Sequence, residues 1–411
     1  MRFQLLHYGN LLTLTLLFIN SHFVSAQTAD GLQIGLSALT TAGGATVGND
    51  TLAKLQAGGH DPNRLGFTVQ NVELSLNAAV DPFFDAQANI IYLISANGES
   101  VVELEEAFFL SRALPAGLQI KAGQFYTAFG RFNNQHPHAW AFVDQPVIAS
   151  RLLGADGLRS QGARLSWLMP ASWYSEIYFT VQNANGETTH SFMGEGSAHS
   201  HGHEQDDTAT FAEYEIVDRP VNGLEDFLYA TRWLNGLDLS ETLSANFGIS
   251  GLYGPNNTGL KTETFIYGLD IYLKWQPART NKGFPFVAWH TEWMHRDYQA
   301  GDNSHPEPQT LKDSGFFSYV QWGFKPAWVF ALRYEHSDAE DPHHDEHAEE
   351  EIDFLRDKRQ RFSSNLSYYP SEFSKIRLQY NYDRADHLDE SAHSLWLQFE
   401  YTIGAHMAHK F

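Results

Sequence analysis

Leu395–Phe411 reads LWLQFEYTIGAHMAHKF. Counted back from the last residue in steps of two, one face carries Phe411, His409, Met407, Ala405, Ile403, Tyr401, Phe399, Leu397 and Leu395, and it is mostly apolar. The interleaved face, Lys410, Ala408, His406, Gly404, Thr402, Glu400, Gln398 and Trp396, is mostly polar or small. Successive side chains of a strand point to opposite sides, so this alternation describes a strand that is greasy on one side and wet on the other. Soluble sandwiches have edge strands of this kind, but an aromatic residue closing such a run predicts the last strand of a bacterial outer-membrane barrel.

Composition agrees with that reading. Of the 411 residues 43% are hydrophobic, 14% aromatic and only 18% charged. Beyond the N-terminus no run approaches the roughly twenty apolar residues of a membrane-spanning helix, which excludes a helical membrane protein. A barrel needs no such run, because every second residue faces the lumen. Residues 1–26 have the form of a cleaved signal peptide: Arg2 at the positive start, Leu11 to Ile19 as the apolar stretch, and Val24-Ser25-Ala26 before the cut. Removing Arg2 takes the balance of 27 basic and 49 acidic residues from −22 to −23. There is no cysteine, so a disulfide framework, a thiolate nucleophile and a cysteine metal cage are all excluded.

Residues 27–411 then read as one domain with a rhythm. Short connections (Asp81-Pro82, Leu114 to Ala116, Met169 to Ser172, Asn235 to Asp238, Pro277 to Gly283, Lys325 to Ala327, Pro370 to Glu372) alternate with mostly longer polar ones, the most extended being 128–161, 185–223 and 337–359. A sandwich has no reason to place its long loops on every second connection. An all-β, antiparallel, up-and-down transmembrane barrel has one, and the segments between number about 16, an even count as closure requires. A slip in the apolar register at Gln70-Asn71 predicts a bulge. Phe108-Phe109, Phe316-Phe317 and Tyr368-Tyr369 are expected at strand ends, in the interfacial girdles.

Two features carry candidate chemistry. The third long loop, Phe129 to Gly162, mixes Arg131, Arg151, Arg159, Asp144, His136 and His138 with Trp140, Phe142, Val147, Ile148, Leu152 and Leu153. Those apolar residues are costly to leave in water, so the loop is expected to fold into the lumen, where the six charged or imidazole side chains would form a constriction. The second feature is a pair of histidine-acid tracts on the same, external side. HSFMGEGSAHSHGHEQDD holds His199, His201 and His203, and DAEDPHHDEHAEEEID holds His343, His344 and His347. Imidazole with carboxylate suits zinc, copper or nickel, and without cysteine the binding would be transient. On the expected strand Phe284 to Tyr298, His290 and Glu292 share a face while His295 takes the other, and no nucleophile stands out, so no enzyme is expected.

VELSLNAAVDPFFDAQANI (Val72 to Ile90), EEAFFL with LPAGLQIKAGQF (Glu105 to Phe125) and FGRFNNQHPHAWAFVDQP (Phe129 to Pro146) resemble bacterial outer-membrane proteins related to the phosphate-selective porins O and P. Some relatives with histidine-rich loops are labelled zinc-regulated or TonB-dependent receptors. The resemblance covers most of residues 27–411 and implies a trimer of 16-stranded barrels with an inward third loop. Two departures limit it: the family's Lys/Arg ladders for phosphate have no lysine cluster to match them here, and Gln27 to Asn63 is too short for a receptor plug.

The function expected is passive diffusion of small solutes through the outer membrane, with external loops that concentrate divalent metal such as zinc. No cofactor is required beyond transient Zn2+. The expected partners are outer-membrane lipid, small solutes or divalent cations and two further copies of the chain, with no nucleic acid. The alternatives are an anion- or phosphate-selective porin, a plugged structural barrel, and an outer-membrane hydrolase.

Overall fold

The computed structural model describes residues 31–56, 58–95, 97–194, 210–212, 214–217, 219–259, 261–301, 308–340 and 353–404. The expected signal peptide, Phe411 and the six histidines proposed as metal ligands lie outside them. The barrel strands are β1 Gln33–Ala45, β2 Gly66–Ala79, β3 Phe84–Ile94, β4 Ser100–Ser111, β5 Leu118–Tyr126, β6 Arg159–Leu168, β7 Tyr174–Asn183 and β8 Phe227–Ser240. They continue as β9 Leu243–Pro255, β10 Glu263–Trp275, β11 Phe286–Ala300, β12 Gln309–Lys325, β13 Trp328–Glu340, β14 Arg359–Ser371, β15 Ser374–Ala385 and β16 Ala392–Gly404. Each pairs with the next, and β1 closes on β16 from Gly35 opposite Gly404 to Ala45 opposite Ser394. A closed sheet leaves no open edge, so the spanning backbone pairs strand to strand without water.

The alternation seen in the sequence sets which side chain meets lipid. In β16, Leu395, Phe399, Tyr401 and Ile403 stand outside, 43–59% exposed, while Gln398, Glu400 and Thr402 are buried inside. Trp396, the one large apolar residue on the polar face, packs inward against Leu52 and Val143. Among the described residues no helix is long and apolar enough to cross a membrane.

Two of the register shifts, both away from the short turns, bear on the lumen. In β2 the register steps from Leu39 opposite Asn71 to Thr40 opposite Val69, so Gln70 is the extra residue and it and Asn71 are both buried. This is the slip expected from the sequence. In β4 the register steps from Asn89 opposite Glu106 to Ile90 opposite Leu104, and Glu105 and Glu106 are likewise both buried.

Turns of two residues, such as Pro326-Ala327 and Glu372-Phe373, cluster at one end and the longer loops at the other. The expected turn at Asn235 to Asp238 lies instead at Glu241-Thr242, because β8 continues through Gly236, which pairs with Asn246 and Tyr174. Phe316-Phe317 is also corrected: the pair sits mid-strand in β12, and Phe317 is fully buried in the lumen. Two short helices, α1 Asn49–Leu55 in the first long loop and α2 Val147–Leu153 in the third, lie among the loops.

Candidate functional site in the barrel lumen

The third long loop leaves β5 at Thr127 and crosses the lumen. Its base is stapled by Asn133, whose Nδ2 donates to the carbonyls of Thr127 (2.8 Å) and Leu158 (3.0 Å) while its Oδ1 accepts from the Leu158 N–H (2.9 Å). Further along, Glu292 accepts both the Arg131 and Phe132 N–H groups at 2.7 Å. Trp140, Phe142, Val147, Ile148, Leu152 and Leu153 are all at most 5% exposed, most of them packed with Phe129 and Phe132 on Ile266, Met294 and Phe317 of the inner wall. The expectation of an inward fold rested on those apolar side chains, and their burial follows from the transfer cost it invoked.

Asp144 is the polar anchor on the far wall. It accepts from Arg333 (2.5 Å), Arg361 (3.1 Å), Gln379 (2.9 Å) and Asn381 (2.7 Å). Burial alone would raise this carboxyl, but the two guanidiniums override it and hold Asp144 down at about 2. Arg377 donates to the Trp140 carbonyl and Asn365 to that of Ala141. Together these contacts cover the inside of β14 to β16, where Ser363, Asn365, Gln379, Asn381 and Gln398 are all nearly inaccessible.

Free space lies on the opposite side. A cavity of about 330 Å³ is bounded by Arg131 and Asn134 of the loop and by Arg164, Glu176, Arg232 and Asp270 of the wall. Arg232 and Asp270 form a two-pronged pair at 2.7 and 3.0 Å that is close to neutral. Arg131 lies 4.0 Å above the Tyr272 ring, and Arg164 lies 5.1 Å from that of Tyr178. Neither arginine makes an ion pair within 4 Å among the described residues, and Glu176 accepts from the hydroxyls of Tyr174 and Tyr178.

A third grouping joins loop and wall. His136 Nδ1 lies 2.7 Å from Glu105 and its Nε2 3.1 Å from Glu106, while His138 Nδ1 lies 3.1 Å from Glu73. Burial favours a neutral ring, yet Glu105 and Glu73 keep His136 protonated well above its ordinary range. The bulge in β4 is what turns two successive glutamates toward one histidine.

The six expected constriction residues therefore divide. Arg131 borders the cavity, and His136 and His138 dock on the glutamates. Asp144, Arg151 and Arg159 do not border it: Asp144 is the buried anchor, Arg151 binds Asp357 and the Phe354 carbonyl, and Arg159 pairs with Glu103. Each is neutralised by a partner and holds backbone in place. The sequence reading missed Arg164, Arg232, Glu73, Glu105 and Glu106, although two adjacent glutamates within an otherwise alternating strand are a visible sign of a bulge. His290 and Glu292 meet at 2.9 Å, and Glu292 bonds the loop backbone, a bracing role.

A sixteen-stranded transmembrane barrel whose third long loop bridges the lumen is thus the class to which the molecule belongs. No family model matches the chain. An uncharacterized protein of Aquifex aeolicus (strain VF5) is 31% identical over 374 residues, covering 86% of this chain and 73% of that protein, and the chain belongs to the same family. In structure the chain is similar to the outer membrane channel DcaP of Acinetobacter baumannii, with TM-score 0.56, 11% identity, and 90% of this chain and 97% of that one covered. It is also similar to an anion-selective porin from Comamonas acidovorans (TM-score 0.52, 8% identity, 90% and 99% covered). A third similar structure is OprB of Pseudomonas putida (TM-score 0.51, 9% identity, 91% and 94% covered). At these identities the likeness is one of fold.

Proposed function

We propose that the protein is a passive outer-membrane channel for small solutes, constricted by its third long loop. The observation that carries this reading is the asymmetry of the lumen: the loop is fixed to one wall by Asp144, and the polar cavity remains along the other. A loop that narrows a pore sets the size and charge of what passes. The test is conductance of the purified protein in planar bilayers. Stepwise, ohmic openings support the channel, and silent insertion would favour a plugged structural barrel.

Anion preference is a second reading, favoured by one observation. Arg131 and Arg164 face the cavity against the single carboxylate of Glu176 and beside a neutral Arg232–Asp270 pair, so the lining is net positive although the chain carries −22 overall. Reversal potentials in a KCl gradient decide between the two. At the mouth, the tracts with His199, His201, His203, His343, His344 and His347 are proposed to gather zinc weakly enough to release it. Zinc titration of the intact chain against one carrying Ser at those six positions tests this, and equal binding by both would end it. A homotrimer is proposed from the porin resemblance and is tested by native mass spectrometry.

A further inference from the structure

We infer that Glu73, Glu105 and His136 form a binding site for one divalent first-row metal ion of the zinc class inside the barrel, with His138 as a further donor beside Glu73 and Glu106 holding the other ring nitrogen of His136. This site is separate from the external histidine tracts and does not depend on whether the barrel conducts.

Geometry comes first. The donor atoms of Glu73, Glu105 and His136 all lie within 4.8 Å of one another. The individual separations are 2.7 Å from His136 Nδ1 to Glu105, 3.6 Å from the same atom to Glu73 and 3.1 Å from His138 Nδ1 to Glu73. Nitrogen and oxygen ligands bound at about 2.0–2.2 Å to a common ion sit roughly 2.8–3.6 Å apart, so small adjustments centre an ion among them. Imidazole with carboxylate is the donor chemistry of zinc and its neighbours rather than of magnesium or calcium.

Charge is the second, independent argument. Three carboxylates converge with side-chain exposures of 2%, 0% and 7% for Glu73, Glu105 and Glu106. Among the described residues the lysine or arginine within 4 Å of them is Lys121, 3.9 Å from Glu106, with Arg159 and Arg164 further off. Even with His136 protonated, the group retains negative charge in a nearly dry place, a condition that a divalent ion relieves. Access exists, since both imidazoles are 15% exposed to the lumen. The surroundings also fit. Ser75 and Asn89 donate to Glu73, and Tyr126 donates its hydroxyl to Glu105 at 2.6 Å, the kind of outer contacts that orient ligands.

The consequence is mechanical. Glu73 belongs to β2, Glu105 to β4 and His136 to the loop, so one ion would tie the loop to two strands of the wall, displacing the protons now held there.

The test uses full-length protein in detergent, stripped with chelator, with the six external-tract histidines replaced by Ser so that only the interior is read. Competition between the protein and a chromophoric chelator for zinc is expected to give one ion per chain. Glu73→Gln and Glu105→Gln should each weaken binding by at least about tenfold while keeping the heat-modifiable gel shift of a folded barrel. Cobalt added to the chain with its interior cluster unaltered provides a readout free of folding effects in those variants: intense visible bands of a low-coordinate N/O site are expected. Zinc binding absent from the tract-free protein, a cobalt spectrum of the hydrated ion, or affinity unchanged in both glutamine variants would overturn the site and leave the cluster as a proton-held clamp only.

Discussion

Asp144 shows how much depends on a single carboxylate. Removing it as Asp144→Ala takes a shared partner from buried Arg333 and Arg361, each of which keeps one carboxylate, Glu335 and Asp383, so the loss should fall below the roughly 3–5 kcal/mol of a fully broken buried pair. The freed loop should raise single-channel conductance and its noise, and expose the segment from Trp140 to Gly154 to limited proteolysis. Its pH behaviour follows from the sign of the shift. The folded carboxyl, at about 2, lies below its ordinary value of 3.8, so its stabilisation is complete above about pH 4 and is lost as pH falls toward 2. The gap in unfolding midpoint between the native chain and Asp144→Asn should therefore be widest at neutral pH and close by about pH 2. It is worth roughly 2 kcal/mol. Residue types in this loop were legible in the sequence, but their roles were not. The partners of Asp144 lie 189 to 237 positions further along, and only closure of the sheet brings them together.

At the scale of elements, the period of two and the alternation of long and short connections follow from one fact: lipid demands an apolar side chain at every second position. That is why strand number, the bulge at Gln70 and the inward loop could all be read in advance. The turn expected at Asn235 was misplaced because Asn and Gly are turn residues in isolation, whereas here strand pairing on both sides outweighs that preference. The same reasoning applies to the loop base. Asn133→Ala should leave the Thr127 carbonyl short of this donor and the Leu158 N–H without its acceptor, while the Leu158 carbonyl keeps the Thr127 N–H, at a cost of about 1–3 kcal/mol, loosening the loop without unfolding the barrel. Hydrogen exchange is expected to quicken at residues 127–158 and stay unchanged in β8 to β12.

For the whole molecule, identities of 8–11% to the solved outer-membrane structures with TM-scores just above 0.5 mean that the likeness is one of shell. Under the proposed function, selectivity is to be sought in this chain's own lumen. Replacing Arg131 and Arg164 together by Glu reverses the sign beside the cavity, and the cation-to-anion permeability ratio should rise several-fold; a ratio unmoved by the double change would show that passage runs elsewhere.

Because Asp144 ties the loop to β13, β14 and β15 while the cavity stays open against β6 to β10, a solute taking the proposed route meets a crescent rather than a ring. The wall under the loop has become upholstery, and under the proposed function a change in what this barrel admits has to come from the remaining arc.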